Sequence, residues 1–297
     1  MPREVEPSVN ERQFFEKALA ENLRLDGRAF DQFRDLELSF GDEFGVADVR
    51  LGKTRIHTNI SAEVTTPYPD KPFDGLFTIT TELSPMTSPH YEVSRPSDPE
   101  ILLSRILEKN LRRSQALDTE SLCLIAGHKV WSIRADVHIL SHDGNLIDAS
   151  CISVLAALQH FRKPDTSSEG ENVTVYTLEE RDPVPLSLLH SPYCVTFSFY
   201  PSTVEEGEAV ILLDSTLLEE QLREGSATIG INKDGELCQI AKLGGISVDA
   251  VAFLGCVQVA LARVKEISAF VIKRLAEDAK KRDKGGLMAE LRAENDR

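Results

Sequence analysis

The residues best placed to bind a ligand lie where an alternating stretch meets a helical one, in the run Asp143-Gly144-Asn145-Leu146-Ile147-Asp148. A strand that turns through glycine into a helix often binds phosphate, because the first helical turn offers free N–H groups and the positive end of the dipole. This junction offers an anion no Lys, Arg, Ser or Thr, and Asp148 adds a negative charge. Asn145 is a candidate helix cap, with Asp148 as a short form of the capping box. The pattern predicts a junction that is capped by its own residues.

Other residue types with catalytic potential form no recognisable motif. The seven histidines include no HExxH pattern and no Cys/His pair at zinc-finger spacing, so we predict neither a metal site nor a cofactor. P-loop, dinucleotide-binding and nucleophile-elbow motifs are also missing from the sequence. We interpret His138 and His142 as surface or hydrogen-bonding residues. The acid pairs Glu179-Glu180, Glu205-Glu206 and Glu219-Glu220 are interpreted as solvated.

A run of basic residues stands out in an otherwise acidic chain. Asp98-Pro99-Glu100 predicts a helix start, with Asp98 as the cap, and the helix is expected to run to about Leu117. Its core positions are expected to be Ile101, Leu102, Ile106 and Leu117. The basic stripe comprises Arg105, Lys109, Arg112 and Arg113, which share one helix face. From the pattern alone, a solvated face is favoured over a functional one.

Composition limits the class of protein. The 297 residues are 41% hydrophobic and 27% charged, which is typical of a globular chain. The formal net charge of −15 argues against a stand-alone nucleic-acid binder, so a local basic patch or a partner would have to attract RNA. No apolar run is long enough to span a bilayer, and the N-terminus resembles no signal peptide. The five cysteines lie in apolar segments, and we interpret them as reduced core residues of an intracellular protein.

The junction is positioned by the elements on either side of it, in residues 129–161. Apolar residues alternate from Trp131 to Ile139, which predicts a half-buried strand. After the turn, an apolar stripe from Ile147 to Phe161 at three- and four-residue spacing predicts a helix packed on one face. This strand, turn and helix form the unit around which the rest of the chain is organised.

The remaining elements form a weakly repeated pattern. We predict a helix over 10–23, a hairpin within 36–64, strands over 76–83, 173–178, 195–199 and 209–214, a polar loop over 163–172, a hairpin from 227 to 243 and a helix over 247–281. The stripe of the last helix includes Val251, Leu254, Val264 and Ile272. Strands lead through a glycine turn into a packed helix at Gly144 and again at Gly245, which suggests two similar halves.

Several stretches together resemble the RNase PH family, and within it the non-catalytic ring subunits of the eukaryotic exosome. The matching stretches are Leu25-Asp26-Gly27-Arg28, Leu51-Gly52-Lys53-Thr54-Arg55, and residues 81–86, 118–123, 127–136, 142–150 and 179–185. The similarity covers about residues 10–285. It implies an α/β (α+β) architecture of the RNase PH, or ribosomal S5 domain 2-like, fold. Two βαβα-type halves would then pack as one compact unit.

The resemblance also implies a division of the chain and a set of partners. The expected segments are an N-terminal helix and arm (1–30), a first half (31–165), a second half with the long C-terminal helix (166–285) and a charged tail (286–297). The chain would pair with a second RNase PH-like subunit in a hetero-hexameric ring whose channel guides single-stranded RNA. S1/KH cap proteins and a hydrolytic exoribonuclease would bind the ring, in the nucleus, including the nucleolus, and in the cytoplasm. No cofactor and no membrane contact are implied.

Departures from the pattern of active relatives indicate that this chain is not an enzyme. Active members hold phosphate with Gly-Thr-Arg or Gly-Ser-Arg after the Asp-Gly turn, where Asn145, Leu146 and Ile147 stand here. An aliphatic side chain cannot replace a guanidinium that grips phosphate. The family's catalytic aspartate matches Thr228, and a neutral hydroxyl is a poor general acid at neutral pH.

In the light of the resemblance, the basic stripe becomes a candidate contact for the RNA backbone. Two alternatives stay open. The chain could be a phosphorolytic 3′-to-5′ exoribonuclease, against which Ile147 speaks. It could also be a ring scaffold whose basic stripe touches only protein.

Overall fold

In the described residues, two main β-sheets, two short two-stranded sheets and five α-helices make up the fold. The computed structural model describes residues 6–92, 95–169, 172–177, 180–201, 209–245 and 247–282. The helices are α1 (Val9–Ala20), α2 (Asp98–Leu107), α3 (Leu146–His160), α4 (Leu217–Leu222) and α5 (Ala250–Arg282). The strands are β1 (Leu36–Phe40), β2 (Val46–Leu51), β3 (Thr54–Thr65), β4 (Leu76–Leu83), β5 (Cys123–Ile125), β6 (Lys129–Ser141), β7 (Arg162–Lys163), β8 (Thr166–Glu169), β9 (Asn172–Val175), β10 (Val184–Pro185), β11 (Pro192–Pro201), β12 (Ala209–Leu213), β13 (Gly225–Asn232) and β14 (Leu237–Gly244).

The first sheet has the order β1-β2-β3-β6-β4, and β5 also pairs with β6. Its strands are antiparallel except for the β4–β6 pair, which is parallel. Along β6, residues from Ile133 to Ile139 alternate between buried and more exposed positions. The predicted half-buried strand is therefore confirmed, and it feeds directly into the turn before α3.

The second sheet has the order β12-β11-β13-β14 and is antiparallel throughout. The alternation of Val195, Phe197 and Phe199 predicts one buried face, but Thr196 and Ser198 are buried as well. Both faces of β11 are covered, because α3 packs on the strand and α5 contacts it too. The polar residues of β11 therefore point into the molecule, where they need hydrogen-bond partners.

Helix α3 lies at the centre of the core. It contacts β2 and β3 of the first sheet and β11 of the second. The predicted helix and its apolar stripe are confirmed, but twelve of the fifteen residues are buried, so the helix packs on more than one face. A helix between two sheets has no solvent face, which explains why its small residues Ser150, Ser153 and Ala157 are buried too.

The N-terminal arm packs on the second sheet, although it comes first in the sequence. Phe15 and Leu19 of α1 form a small hydrophobic cluster with Tyr200 and Leu212, and the rings of Phe15 and Tyr200 lie 5.1 Å apart edge to face. Phe14, which also belongs to the predicted apolar face, is exposed. The N-terminal arm thus connects the start of the chain to its second half.

The predicted helix over 98–117 differs from the structure in three respects. Ser97 is the N-cap instead of Asp98, and the α-helical part ends at Leu107. The chain continues as a π-helical turn, Glu108–Arg112. Of the predicted core positions, Ile106 and Leu117 are buried as expected, whereas Ile101 and Leu102 are exposed and Leu103, Leu107 and Leu111 are buried instead. The cause is one-sided packing, because α2 lies against β4 and α3.

Other predictions hold in part. The hairpins β2–β3 and β13–β14 are confirmed, and Gly235 in the second turn has a φ of +90°. The predicted polar loop over 163–172 is wrong for residues 166–169 and 172, because β8 pairs with β9 there. In α5, Val264 is buried as predicted, but Val251, Leu254 and Ile272 are exposed. Cys256 and Ala260 are among the buried residues that face the sheet instead.

The predicted core position is confirmed for three of the five cysteines. Cys151, Cys194 and Cys256 are buried, whereas Cys123 and Cys238 are partly exposed. Among the described helices, none has the length and hydropathy that crossing a bilayer would require. The charged tail at 286–297 lies outside the described residues, as do Leu178, Glu179, Glu205 and Glu206. The two sheets fall on either side of residue 165, where we propose that the halves divide.

Candidate functional site: the α3 junction and the basic stripe

The turn before α3 is packed against backbone from the second half of the chain. Gly144 has a φ of +85° and Asn145 a φ of 54°, so both residues are left-handed. A Cβ on Gly144 would lie 2.6 Å from the carbonyl carbon of Thr216 and 2.7 Å from the amide nitrogen of Leu217. Only glycine allows this approach. The junction therefore faces the segment that leads into α4.

A carboxylate of the protein occupies the N-terminus of α3. The backbone N–H of Asn145 donates to Glu220 Oε1 at 3.1 Å. The Asn145 side chain makes no capping bond to the helix backbone, so the predicted capping box is wrong. Its Nδ2 donates instead to Asp148 Oδ2 at 2.9 Å and to Asp214 Oδ1 at 2.7 Å. The junction is closed from within the chain, but by a helix some 70 residues away.

Asp214 is the centre of a buried charge cluster that includes the arm. It accepts hydrogen bonds from Arg34 through the backbone N–H (2.8 Å), Nε (2.9 Å) and Nη2 (2.8 Å). Arg28 Nη1 donates to it at 2.9 Å. Burial works to raise the pKa of Asp214, but the hydrogen bonds and charge of Arg34 outweigh it and lower that pKa below its ordinary value. Asp214 is therefore ionised and fully paired.

A second buried ion pair lies beside the first. Arg24 Nε and Nη2 donate to the two carboxylate oxygens of Glu219 at 2.9 and 2.8 Å, and both side chains are fully buried. The interpretation of Glu219-Glu220 as solvated is wrong for Glu219, and Glu220 is held against the α3 junction. Sequence reasoning missed Arg24, Arg34 and Asp214. The one available signal was the Asp-Gly-Arg stretch at Arg28, which contributes to the family resemblance.

The structure joins Thr228 to the junction through a line of polar side chains. Thr196 donates to Asp148 through its N–H (2.9 Å) and its hydroxyl (2.7 Å), and the Thr196 and Thr228 hydroxyl oxygens are 3.1 Å apart. Thr228 and Asp148 are buried. Leu146 and Ile147 are partly buried and pack against the hydrophobic core. Asn145 and Thr228 thus belong to one polar network, and Leu146 and Ile147 adjoin it.

Asp148 gives this network a pH dependence. Burial raises the pKa of Asp148 to about 7, although Thr196 and Asn145 donate hydrogen bonds that favour the ionised form. The unfolded chain loses this proton near the ordinary value of 3.8, so the folded state binds more protons between that value and about 7. Asp148 therefore contributes stability in acid that is lost as the pH rises through this window.

We expect Asp148→Asn to remove that pH dependence. Asparagine keeps the shape and is neutral, and its amide can donate to Thr196 if that hydroxyl turns to Thr228. The stability of the variant relative to the parent should rise by on the order of 2–4 kcal/mol between pH about 4 and about 7. Urea unfolding at several pH values measures this, and parallel profiles would contradict it.

The basic stripe is a separate, exposed surface. Arg105 lies on α2, and Lys109, Arg112 and Arg113 on the π-helical turn or just after it. The turn is anchored by Asn110, whose Nδ2 donates to the Pro192 carbonyl at 2.8 Å. Within the described residues no hydrogen bond or ion pair joins the stripe to the α3 junction. The two predicted sites are therefore independent.

A shallow groove of about 300 Å³ runs beside the stripe, between α2 and β4, and Glu100, Arg105 and Glu108 line it. Burial and the neighbouring charge of Glu82 raise the pKa of Glu100. No group of three or more His, Cys, Asp or Glu side chains in the described part of the chain has the geometry to hold a metal ion.

Comparison with known proteins gives consistent matches. Family models of the 3′ exoribonuclease family match residues 32–164 (domain 1) and 190–263 (domain 2). The chain is 50% identical over 283 residues to "Exosome complex component rrp45" of Schizosaccharomyces pombe, covering 95% of this chain and 96% of that protein. It is 47% identical over 305 residues to "Exosome complex component RRP45" of Saccharomyces cerevisiae, with 100% and 99% covered.

A solved structure agrees with these relatives. A chain of the Archaeoglobus fulgidus exosome, solved with RNA bound to the active site, superposes with a TM-score of 0.74 at 28% identity, covering 87% of this chain and 96% of that one. The predicted RNase PH fold is confirmed. The predicted resemblance to the exosome ring subunit known as the polymyositis/scleroderma autoantigen is confirmed as well.

Proposed function

This chain belongs to the RNase PH family of 3′ exoribonucleases, and we propose that it is a non-catalytic structural subunit of the eukaryotic exosome core ring. In this role it pairs with other RNase PH-like chains and helps to form the channel that guides single-stranded RNA. Relatives that match almost end to end are named exosome components, which supports the assignment. S1/KH cap proteins, a hydrolytic exoribonuclease, and a nuclear, nucleolar and cytoplasmic location are parts of the same proposal.

The observation that carries the non-catalytic role is the carboxylate of Glu220 at the N-terminus of α3. An incoming phosphate would meet this negative group where it needs donors. Ile147 supplies no charge, and Arg34, which reaches the junction, donates to Asp214 and to the Asp143 carbonyl. No guanidinium of the described junction is left to bind phosphate.

The position that matches the family's catalytic acid supports the same conclusion. Thr228 is buried, and its hydroxyl bonds to Thr196 in the middle of the second sheet. A neutral hydroxyl is a poor general acid at neutral pH, and this one is almost fully buried. Among the described residues, neither the position that matches the phosphate-binding arginine nor the position that matches the catalytic aspartate therefore carries a suitable side chain.

The RNA-guiding part of the proposal rests on the basic stripe. All four basic side chains are exposed on a chain whose net charge is −15. They form a local positive surface on a protein whose overall charge repels RNA. Contacts from such residues go to phosphates, are independent of base sequence and weaken with salt.

A phosphorolysis assay tests the enzymatic question. The chain, assembled with its ring partners, is incubated with single-stranded RNA and phosphate, and nucleoside diphosphates are measured. We expect the rate to be the same for the parent and for Thr228→Val, because valine keeps the shape of threonine and removes only the hydroxyl. The matched control is the same substitution at Thr174, on the exposed β9. Diphosphate release that is lost in Thr228→Val and kept in Thr174→Val would overturn the proposal.

A further inference from the structure

One acidic residue lies inside the basic stripe and contacts two of its four cations. Glu108 Oε2 accepts from Arg105 Nη1 at 3.2 Å, and its Oε1 accepts from Arg112 Nη1 at 3.1 Å. The carboxylate therefore bridges two arginines on successive turns. In the described chain, Lys109 and Arg113 form no ion pair. The stripe is divided into a tethered pair and a free pair.

We propose that Glu108 is a built-in counter-ion that weakens the grip of the stripe on single-stranded RNA. This inference rests on the proposed RNA-guiding function. A phosphate that approaches Arg105 or Arg112 must share the guanidinium with Glu108 or displace it, whereas Lys109 and Arg113 are open. The affinity of the surface is then set by fewer than four full charges.

The exposure of the bridge sets the size of the effect. The side chains of Arg105, Arg112 and Glu108 are 67%, 50% and 26% exposed. Exposed ion pairs contribute little stability, so RNA can displace the carboxylate at small cost. One negative charge a few ångströms from a bound phosphate in a wet surface changes binding by severalfold rather than by orders of magnitude. A surface of this kind holds a strand loosely, as a guide for a moving strand requires.

A purely structural role for Glu108 predicts something different. Glu108 is the first residue of the π-helical turn. In the rival explanation, its ion pairs stabilise that turn and have no effect on RNA. In that case Glu108→Gln would lower the unfolding temperature and leave RNA binding unchanged. The two roles are therefore separable by measuring both quantities on the same variant.

The test uses the assembled ring and a fluorescent single-stranded oligouridylate. We expect Glu108→Gln to tighten binding by about three- to fivefold at low salt, with the gain shrinking as salt is raised. The matched control is Glu277→Gln, which removes the same charge from an i,i+3 pair with Arg274 on α5 and should change nothing. In the parent, Lys109→Gln should weaken binding more than Arg112→Gln. In the Glu108→Gln background the two losses should be equal.

The outcomes separate this inference from the function beneath it. The proposed counter-ion role of Glu108 is overturned if Glu108→Gln leaves RNA binding unchanged or weakens it. It is also overturned if Glu277→Gln tightens RNA binding equally. If Arg112→Glu with Arg113→Glu weakens RNA binding in the same experiment, the RNA-guiding function stands while the counter-ion fails. If that reversal leaves binding unchanged, the stripe contacts no RNA, and both are overturned.

Discussion

Replacing Asp214 by alanine is expected to lower the free energy of unfolding by about 3–5 kcal/mol, because it breaks a buried ion-pair cluster from its centre. The change removes the fully buried partner of the Arg34 and Arg28 guanidinium groups, which keep only the more exposed carboxylates of Asp143 at 3.6 Å and Asp26 at 2.6 Å. It also removes one of the two acceptors of the Asn145 amide. The arm, Arg34 and the α3 junction lose their common partner, which lies between β12 and α4. Urea denaturation, read from the midpoint at constant slope, measures the loss.

The matched control for this prediction is Asp48→Ala. Asp48 also pairs with an arginine, at 2.7 Å from Arg55 Nη2, but that arginine is 47% exposed. Its loss should cost about 1 kcal/mol or less. The pKa of Asp214 is lowered by Arg34, so its contribution is present above the ordinary value of 3.8 and is lost as the pH falls below it. Equal losses for the two variants at neutral pH would contradict the buried-cluster account.

Gly144→Ala is expected to cost about 3–5 kcal/mol, and the turn geometry gives two reasons. A left-handed alanine is strained by about 1–2 kcal/mol. The added methyl group would also collide with backbone atoms of Thr216 and Leu217, which cannot move without shifting α4. That shift would withdraw Glu220 from the α3 N-terminus.

Gly127→Ala is the control that separates the steric collision from the backbone strain. Gly127 also has a positive φ, of +76°, but a Cβ there meets nothing within 4 Å. The free energy of unfolding of this control should therefore fall only by the backbone strain, about 1–2 kcal/mol. Circular dichroism on thermal unfolding of both variants gives the comparison, and a Gly144→Ala protein as stable as Gly127→Ala would show that the junction is not closed by the second half of the chain.

Local features of this fold could be read from the sequence because neighbouring residues determine them. The alternation along β6 and the Asp-Gly turn between β13 and β14 are examples, since strand period and turn chemistry act over a few residues. The departure at Ile147 follows from the family resemblance, which the Asp-Gly turn beside it makes easy to align. It is a single residue next to a recognisable turn.

The charge cluster could not be read in this way. Arg34 and Asp214 are 180 residues apart, and Arg24 and Glu219 are 195 apart. Each arginine or acid alone resembles a surface residue, and Glu219-Glu220 matches the pattern of a solvated pair. Burial on both faces, as in β11 and α3, likewise depends on what packs from elsewhere in the chain. The π-helical turn has no local signature, because Asn110 is drawn inward by the Pro192 carbonyl of β11.

The packing of the N-terminal arm against the second half of the chain has a consequence for folding during synthesis. Arg24, Arg28 and Arg34 leave the ribosome early, but the groups that neutralise them in the fold, Asp214 and Glu219, are translated roughly 180 residues later. Until then the first sheet can form while its leading segment stays unpaired. Closing so long a loop is slow, and the last contacts to form hold both ends of the molecule together. A nascent chain stalled before residue 214 would hold these three guanidinium groups without their fully buried carboxylate partners and would not complete its core.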